Sequence, residues 1–186
     1  MMLRVVTIPG SLRAGSYNRK LLKVAEQFLE GQVELDRIDL RNFLLPVYDG
    51  DFESEYGVPG EAEALKERIR AAHGVLVCAP EYNWGMAGAW KNVIDWTSRG
   101  KRQPWSGKVV GMMGATDGPW GTWRAIPQYR QTYAALGAIV LPQSFNLPYA
   151  PKVWDDAGKL VDEKLPGRVE KFVGQFLAFL RAMNPE

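Results

Sequence analysis

Short apolar segments alternate with longer amphipathic segments along the chain. The apolar segments are rich in β-branched residues and end at Gly, Pro or polar residues, which is typical of strands buried in a parallel sheet. They predict five strands, at residues 3–8, 33–38, 74–79, 108–114 and 138–141.

The amphipathic segments predict helices between these strands. In the first of them Leu21, Leu22 and Ala25 recur at helical spacing, and Gly31 marks its end. The predicted helices cover residues 18–30, 61–72, 87–98, 123–136 and 169–183. Residues 39–60 and 142–164 are expected to be loops. The second loop could reach a neighbouring subunit.

This alternation predicts an α/β fold. Because parallel neighbours require crossover connections, strands separated by helices form a parallel sheet with helices on both faces, which is a doubly wound architecture. A chain of 186 residues fits one such unit, so a single domain is expected over residues 1–186.

Composition and charge limit the kinds of binding partner and the cellular location that we expect for this protein. The net charge of +2 is too small to attract nucleic acid, and no nucleic-acid partner is expected. Cys78 is the only cysteine, which excludes an intrachain disulfide or a multi-cysteine metal site, and no metal is expected. No apolar stretch reaches the roughly 20 residues of a membrane span. Residues 1–9 resemble a strand rather than a signal peptide, so a cytoplasmic protein without a membrane partner is expected.

The predicted fold also locates the ligand site. In open parallel sheets the ligand lies beyond the carboxyl ends of the strands, near the point where the strand order reverses. The loops that meet there are residues 10–17, 80–86 and 115–122.

The first of these loops has the chemistry of an anion site. Ser11 and Ser16 offer hydroxyl groups, Arg13 offers a positive charge, and the following helix offers free N–H groups. The loop lacks both G-x-G-x-x-G and Gly-Lys-Ser/Thr, which disfavours a Rossmann NAD site and a nucleotide triphosphatase. Alternatively Ser16 or Asn18 caps the helix, a role that is compatible with anion binding.

The second loop suits a planar heterocycle. Glu81, Tyr82, Asn83 and Trp84 combine a carboxylate, an amide and two aromatic rings next to a flexible Gly85. Apolar walls with a few polar contacts are typical of a cofactor site. The alternative is a tight turn with two packed aromatic rings.

Three sequence blocks, in this order, resemble the NADPH-dependent FMN reductase family. They are Gly-Ser-Leu-Arg-x-Gly-Ser-x-Asn from Gly10, Pro-Glu-Tyr-Asn from Pro80, and Ala-Trp-Lys-Asn-Val-Ile-Asp-Trp at residues 89–96. The resemblance spans almost the whole chain and implies a flavodoxin-like sheet of strand order 2-1-3-4-5. It implies an oxidoreductase of the quinone, azo or chromate reductase type.

The resemblance also implies a set of non-covalent FMN contacts. The residues that would hold the phosphate are Ser11, Arg13, Ser16 and Asn18. Those that would line the isoalloxazine and ribityl chain are Pro80, Glu81, Tyr82 and Asn83, and those that would approach the ring from its other side are Gly114, Ala115, Thr116 and Asp117. No catalytic side chain is expected, because the chemistry takes place at N5 of FMN.

Some residues depart from the family pattern or have ordinary structural explanations. Ala87-Gly88 replaces the usual Pro-Gly, Trp90 replaces Leu, and Trp120 and Trp123 add bulk after the fourth strand. We expect structural roles for His73, Cys78, Lys91, Asp95 and Trp96, the Lys91–Asp95 spacing being that of a surface ion pair.

The expected function is therefore electron transfer from NADPH or NADH through FMN to a small acceptor. Free flavin, quinones, azo compounds and metal oxyanions all remain open as acceptors, as does the preferred nucleotide. The resemblance implies a homodimer or homotetramer. The rival hypothesis is a non-enzymatic flavodoxin-like electron carrier or FMN-binding module, and a more distant one is a phosphate-binding protein without flavin.

Overall fold

The computed structural model describes residues 2–100 and 103–185. Within them the strands are β1 (Arg4–Pro9), β2 (Glu34–Arg37), β3 (Gly74–Cys78), β4 (Glu81–Tyr82), β5 (Gly85–Met86), β6 (Val109–Ala115) and β7 (Ile139–Leu147). The helices are α1 (Tyr17–Leu29), α2 (Gly50–Tyr56), α3 (Gly60–Ala71), α4 (Gly88–Thr97), α5 (Ile126–Ala135) and α6 (Leu165–Met183), with 3-10 turns at Leu40–Asn42 and Ala150–Lys152.

The main sheet has the order β2-β1-β3-β6-β7, and every pairing in it is parallel. Since β6 and β7 are the fourth and fifth strands of this sheet, the predicted flavodoxin-like order 2-1-3-4-5 is confirmed. The order reverses between β1 and β3, which places the first and second candidate loops side by side at the carboxyl edge. Strands β4 and β5 form a separate antiparallel hairpin.

Helices cover both faces of the sheet, and each face has its own apolar core. Neighbouring residues of β1 belong to opposite faces. Val5 is part of the apolar cluster that includes residues of α1 and α6, and Val6 is part of the cluster that includes residues of α3, α4 and α5. This alternation within continuously buried strands is what a doubly wound sheet requires.

Trp90, one of the departures from the family pattern, is a core residue. Its ring is fully buried and packs edge-on against Trp105, with centroids 6.5 Å apart. Its indole N–H donates to the hydroxyl of Tyr133 at 2.9 Å. The larger ring is therefore accommodated with its polar atom satisfied.

Two predicted loops contain regular structure. Strand β7 continues to Leu147, so residues 142–147 belong to the sheet, where Ala115 pairs with Leu147 after a register shift beside Met112. The prediction stopped at residue 141 because β7 is an edge strand in which a proline and an exposed polar residue, Pro142 and Gln143, interrupt the apolar run. In the predicted loop 39–60, helix α2 follows Asp49, whose carboxylate accepts from the N–H of Asp51.

Candidate functional site

A cavity of about 410 Å³ lies beyond the carboxyl ends of β1, β3 and β6. Its volume is in the range of small-molecule sites, about 300–1,000 Å³. All three candidate loops contribute to its lining, together with Asn18 and Pro151 from outside them. The residues from the loops are Ser11, Arg13, Ser16, Tyr17, Pro80, Glu81, Tyr82, Ala115, Thr116 and Asp117. Of the predicted site residues only Asn83 and Gly114 lie outside this lining. Tyr17 and Pro151 are additions.

The first loop contributes two hydroxyl groups and one guanidinium group to the cavity lining. Ser16 is the N-cap of α1, its hydroxyl oxygen accepting from the N–H of Arg19 at 3.4 Å, and the hydroxyl of Ser11 accepts from the N–H of Arg13 at the same distance. Both serines are buried, whereas Arg13 is exposed and forms no ion pair within the described residues. Ser16 therefore caps α1 and lines the cavity at the same time.

Asn18 is buried and its side chain joins the first loop to the third. The amide Nδ2 donates to the carbonyl of Ala115 at 3.0 Å, and Oδ1 accepts from the N–H of Ala115 at 2.9 Å. The thiol of Cys78 also approaches Oδ1, at 3.6 Å, and burial raises the pKa of that thiol well above its usual value. Asn18 thus fixes the end of β6 against the start of α1.

The second loop is a two-residue hairpin turn. Tyr82 pairs with Gly85, and the two residues between them, Asn83 and Trp84, have φ angles of 49° and 65°. Positive φ at both central positions is the geometry of a type I′ turn. Asn83 lies at the hairpin tip, outside the cavity lining, whereas Tyr82 is half-exposed and lines the cavity. The tight turn and the cavity wall are therefore the same segment.

Helix α5 and the two residues before it hold the second loop in place. The carboxylate of Glu81 accepts from the N–H groups of Arg124 and Ala125, each at 2.9 Å. The hydroxyl of Tyr129 donates to the carbonyl of Pro80 at 2.9 Å and accepts from the N–H of Ala87 at 3.3 Å. Burial raises the pKa of Tyr129, which keeps this hydroxyl protonated. Glu81 therefore binds protein backbone as well as lining the cavity.

The third loop curls back on the end of β6. The hydroxyl of Thr116 accepts from the N–H of Gly121 at 3.0 Å, and the N–H of Thr116 donates to the carbonyl of Leu147 at 3.1 Å. Gly114 lies outside the cavity lining. Its missing side chain makes room for Thr122, whose Oγ1 would lie 2.1 Å from a Cβ atom at position 114.

The third sequence block lies outside the cavity lining. The indole N–H of Trp96 and the amide of Asn92 both donate to the carbonyl of Pro46, at 2.7 and 2.8 Å. Lys91 and Asp95 form the expected ion pair, at 2.6 Å. The block therefore anchors the chain before α2 to α4.

Comparison with known proteins decides the family. The sequence pattern of the NADPH-dependent FMN reductases matches residues 3–152. The chain belongs to the NADPH-dependent FMN reductase family. It is 38% identical over 163 residues to an NAD(P)H-dependent FMN reductase of Pseudomonas aeruginosa, covering 87% of this chain and 86% of the relative. It is 35% identical over 179 residues to a quinone reductase of Escherichia coli, covering 95% and 93%.

A solved structure agrees with this assignment. The flavoenzyme NAD(P)H:(acceptor) oxidoreductase of Paracoccus denitrificans superposes with a TM-score of 0.82 at 30% identity, over 97% of this chain and 98% of that one. The protein is thus an oxidoreductase of small molecules that uses FMN as cofactor and NAD(P)H as electron donor. Among the described residues no helix is long and apolar enough to span a membrane.

Proposed function

We propose that the cavity binds FMN with its phosphate at the start of α1. The observation that carries this proposal is the donor set of the first loop, where the hydroxyl groups of Ser11 and Ser16 and the charge of Arg13 surround one helix N-terminus. In addition, the N–H groups of Tyr17 and Asn18 make no hydrogen bond within the described residues. A phosphate is the group that such an arrangement binds.

The isoalloxazine ring would lie between the second and third loops. The residues that we propose beside one side of the ring are Pro80, Glu81, Tyr82 and Asn83. Those that we propose beside the other side are Gly114, Ala115, Thr116 and Asp117. Gly114 would contribute by admitting Thr122, and Asn18 by holding Ala115 in place, rather than by direct contact. Asn83 would contribute by forming the turn that presents Tyr82.

Bound FMN supplies two-electron chemistry between the nicotinamide nucleotide and the acceptor. The chain itself supplies binding, orientation and an open face, and no side chain of the cavity is required as an acid or base. Quinones are proposed as acceptors because the matched Escherichia coli relative is a quinone reductase. Family membership favours this enzyme over the electron-carrier hypothesis.

The test is anaerobic stopped-flow absorbance of the FMN-loaded protein mixed with NADPH. Rapid loss of the oxidised flavin band, reversed by adding a quinone, is the expected result. Bound flavin that does not react with either nucleotide would overturn the proposal in favour of an electron carrier.

A cytoplasmic homodimer or homotetramer, built from one domain over residues 1–186, is also proposed. Its support is an apolar groove of about 770 Å³ between the segment after β2 and the start of α4, with Leu12, Leu44 and Val47 exposed along it. Sedimentation velocity of the wild type and of Leu44→Glu/Val47→Glu tests the assembly. A monomeric wild type with full activity would overturn it.

A further inference from the structure

The segment that follows β7 contributes one residue, Pro151, to the lining of the cavity. This segment, residues 149–154, is called the strap below, and it belongs to none of the three candidate loops. The pyrrolidine ring of Pro151 fixes the backbone φ angle at that position. This part of the cavity wall therefore stays rigid as long as the strap stays in place.

The start of the strap is attached to the third loop. The N–H of Tyr149 donates to the carbonyl of Gly118 at 3.0 Å, and the N–H of Ala150 donates to the carbonyl of Thr116 at 2.9 Å. Tyr149 has a left-handed φ of 49°, which is unfavourable for residues other than glycine. Strain of this kind persists where surrounding contacts enforce it, and the two hydrogen bonds do so here.

The end of the strap is attached to the first turn of α1. Trp154 is buried, and its ring stacks on that of Tyr17 with centroids 5.8 Å apart and planes 26° from parallel. The ammonium group of Lys20 lies 5.5 Å from the centroid of Tyr17 and 5.8 Å from that of Trp154. A cation over both rings strengthens this contact.

The two attachments connect the strap to two walls of the cavity. Thr116 lines the cavity in the third loop, Tyr17 lines it at the start of α1, and Pro151 lies between the two attached positions of the strap. The first attachment consists of backbone hydrogen bonds, whereas the second depends on the side chain of Trp154. Loss of that side chain would loosen the strap where it meets α1.

We propose that the strap retains FMN in the cavity and that Trp154 is the positioning residue that keeps Pro151 in the cavity wall. Trp154 acts through its stack on Tyr17 and does not line the cavity itself. Preorganised contacts raise affinity mainly by slowing dissociation, so the strap acts on the rate at which FMN is released. The inference rests on the proposed function of this cavity.

The first measurement is the rate of FMN release. The FMN-loaded protein is mixed with a large excess of 5-deaza-FMN, and the FMN that remains on the protein after rapid gel filtration is measured against time. From the strength of a stacked aromatic pair, Trp154→Leu is expected to release FMN about 3- to 10-fold faster than the wild type. Trp154→Phe keeps a ring on Tyr17 and should restore slow release.

Phe172→Leu is the matched control for loss of a buried ring. Phe172 belongs to the same apolar cluster as Trp154 and also packs against a second ring, but it lies on α6, outside the cavity lining. Its replacement should destabilise the fold and leave the rate of FMN release unchanged. Urea unfolding of the FMN-free proteins measures the destabilisation of both variants.

The second measurement separates support of Pro151 from a general loosening of the fold. Pro151→Ala removes ring atoms from the cavity wall and should itself speed FMN release. If Trp154 acts by holding Pro151, Trp154→Leu has a smaller effect in the Pro151→Ala background than in the wild type. A purely structural role of Trp154 would give effects that multiply.

Three results would each overturn the inference. They are a less than twofold change in FMN release by Trp154→Leu, an equal change by Phe172→Leu, and effects of the two strap substitutions that multiply. Failure of the proposed function is a different result. A wild type that binds no FMN would overturn both proposals, whereas bound flavin that neither nucleotide reduces would overturn the enzyme alone, because the release rates need no nucleotide.

Discussion

The side-chain amide of Asn18 closes a ring of two hydrogen bonds with the backbone of Ala115. One amide thus connects the first turn of α1 to the last residue of β6, 97 positions apart in the sequence. These two segments carry the proposed phosphate site and one wall of the proposed ring site. The shape of the cavity therefore depends on a residue that is itself buried.

Replacing Asn18 by Ala is expected to destabilise the protein and weaken FMN binding together. The change leaves the N–H and carbonyl of Ala115 buried without partners, which costs about 2–4 kcal/mol in the free energy of unfolding. Urea unfolding of the FMN-free protein measures the first effect and fluorescence titration with FMN the second. Asn184→Ala, which removes an amide near the end of the chain, is the control, and equal stability of the two variants would contradict the role assigned to Asn18.

Replacing Arg13 is expected to weaken FMN binding alone, whereas replacing Ser16 is expected to lower the stability of the protein as well. Arg13→Gln removes an exposed charge that has no ion-pair partner among the described residues, so FMN binds about tenfold or more weakly while the unfolding free energy is unchanged. Ser16→Ala also removes the helix cap, and costs about 1 kcal/mol of stability in addition.

Riboflavin, which lacks the phosphate, is the control ligand for both variants. Its affinity should not change in Arg13→Gln, because the side chain would act only on the phosphate. If Arg13→Gln together with Ser16→Ala leaves FMN affinity unchanged, the phosphate assignment is wrong.

The parallel sheet and the loops that form the cavity were predictable from the sequence pattern, whereas the strand order and most of the lining residues were implied by the family resemblance. Buried central strands produce unbroken apolar runs, and a doubly wound order fixes which loops meet. The edge strand β7 was predictable only to residue 141, because Pro142 and Gln143 interrupt the apolar pattern while the backbone pairing with β6 continues. That pairing is a tertiary effect without a local sequence signal.

The connections within the site were less predictable than its lining. The hydrogen bonds from the backbone N–H groups of Arg124 and Ala125 to the carboxylate of Glu81 join segments far apart in the chain. No regular spacing in the sequence indicates such a contact. The one local signal was the hairpin, since Asn83 at a two-residue turn is a known preference, although Trp84 beside it is not. Asp49, the N-cap of α2, was likewise a local signal for the start of that helix. The helix was not predicted because its segment has no apolar periodicity.

Asp36 is expected to stabilise the fold in a pH-dependent manner. Its carboxylate accepts hydrogen bonds from Arg68 of α3 and from Arg4 of β1, and these partners, Arg68 first, hold its pKa below the usual value. The contribution is therefore complete above the unfolded-state pKa of about 4 and is lost as the pH falls through the lower folded-state pKa.

The variant Asp36→Asn should accordingly be about 1 kcal/mol less stable than the wild type at pH 7. Urea unfolding at several pH values should give a constant difference down to about pH 5 and a shrinking one below about pH 4. A difference that stays constant through the acid range would mean that packing, rather than charge, accounts for the effect.

Gly114 and Thr122 are expected to behave as a compensating pair. A Cβ atom at position 114 would lie 2.1–2.6 Å from three side-chain atoms of Thr122. The third loop cannot retreat, because Gly121 already packs against the backbone of Leu147, where its own Cβ would meet atoms at 2.8 Å. Overpacking of this kind costs about 1–3 kcal/mol, so Gly114→Ala should lower both the unfolding free energy and the affinity for FMN.

The second substitution, Thr122→Gly, should recover most of that loss. It removes the three atoms in conflict, and glycine adopts the φ of 74° found at position 122 without strain. Thermal unfolding and FMN titration of the wild type, both single variants and the double variant measure the coupling. If the double variant is no better than Gly114→Ala alone, the conflict does not lie between these two residues, and the absence of a side chain at position 114 needs another explanation.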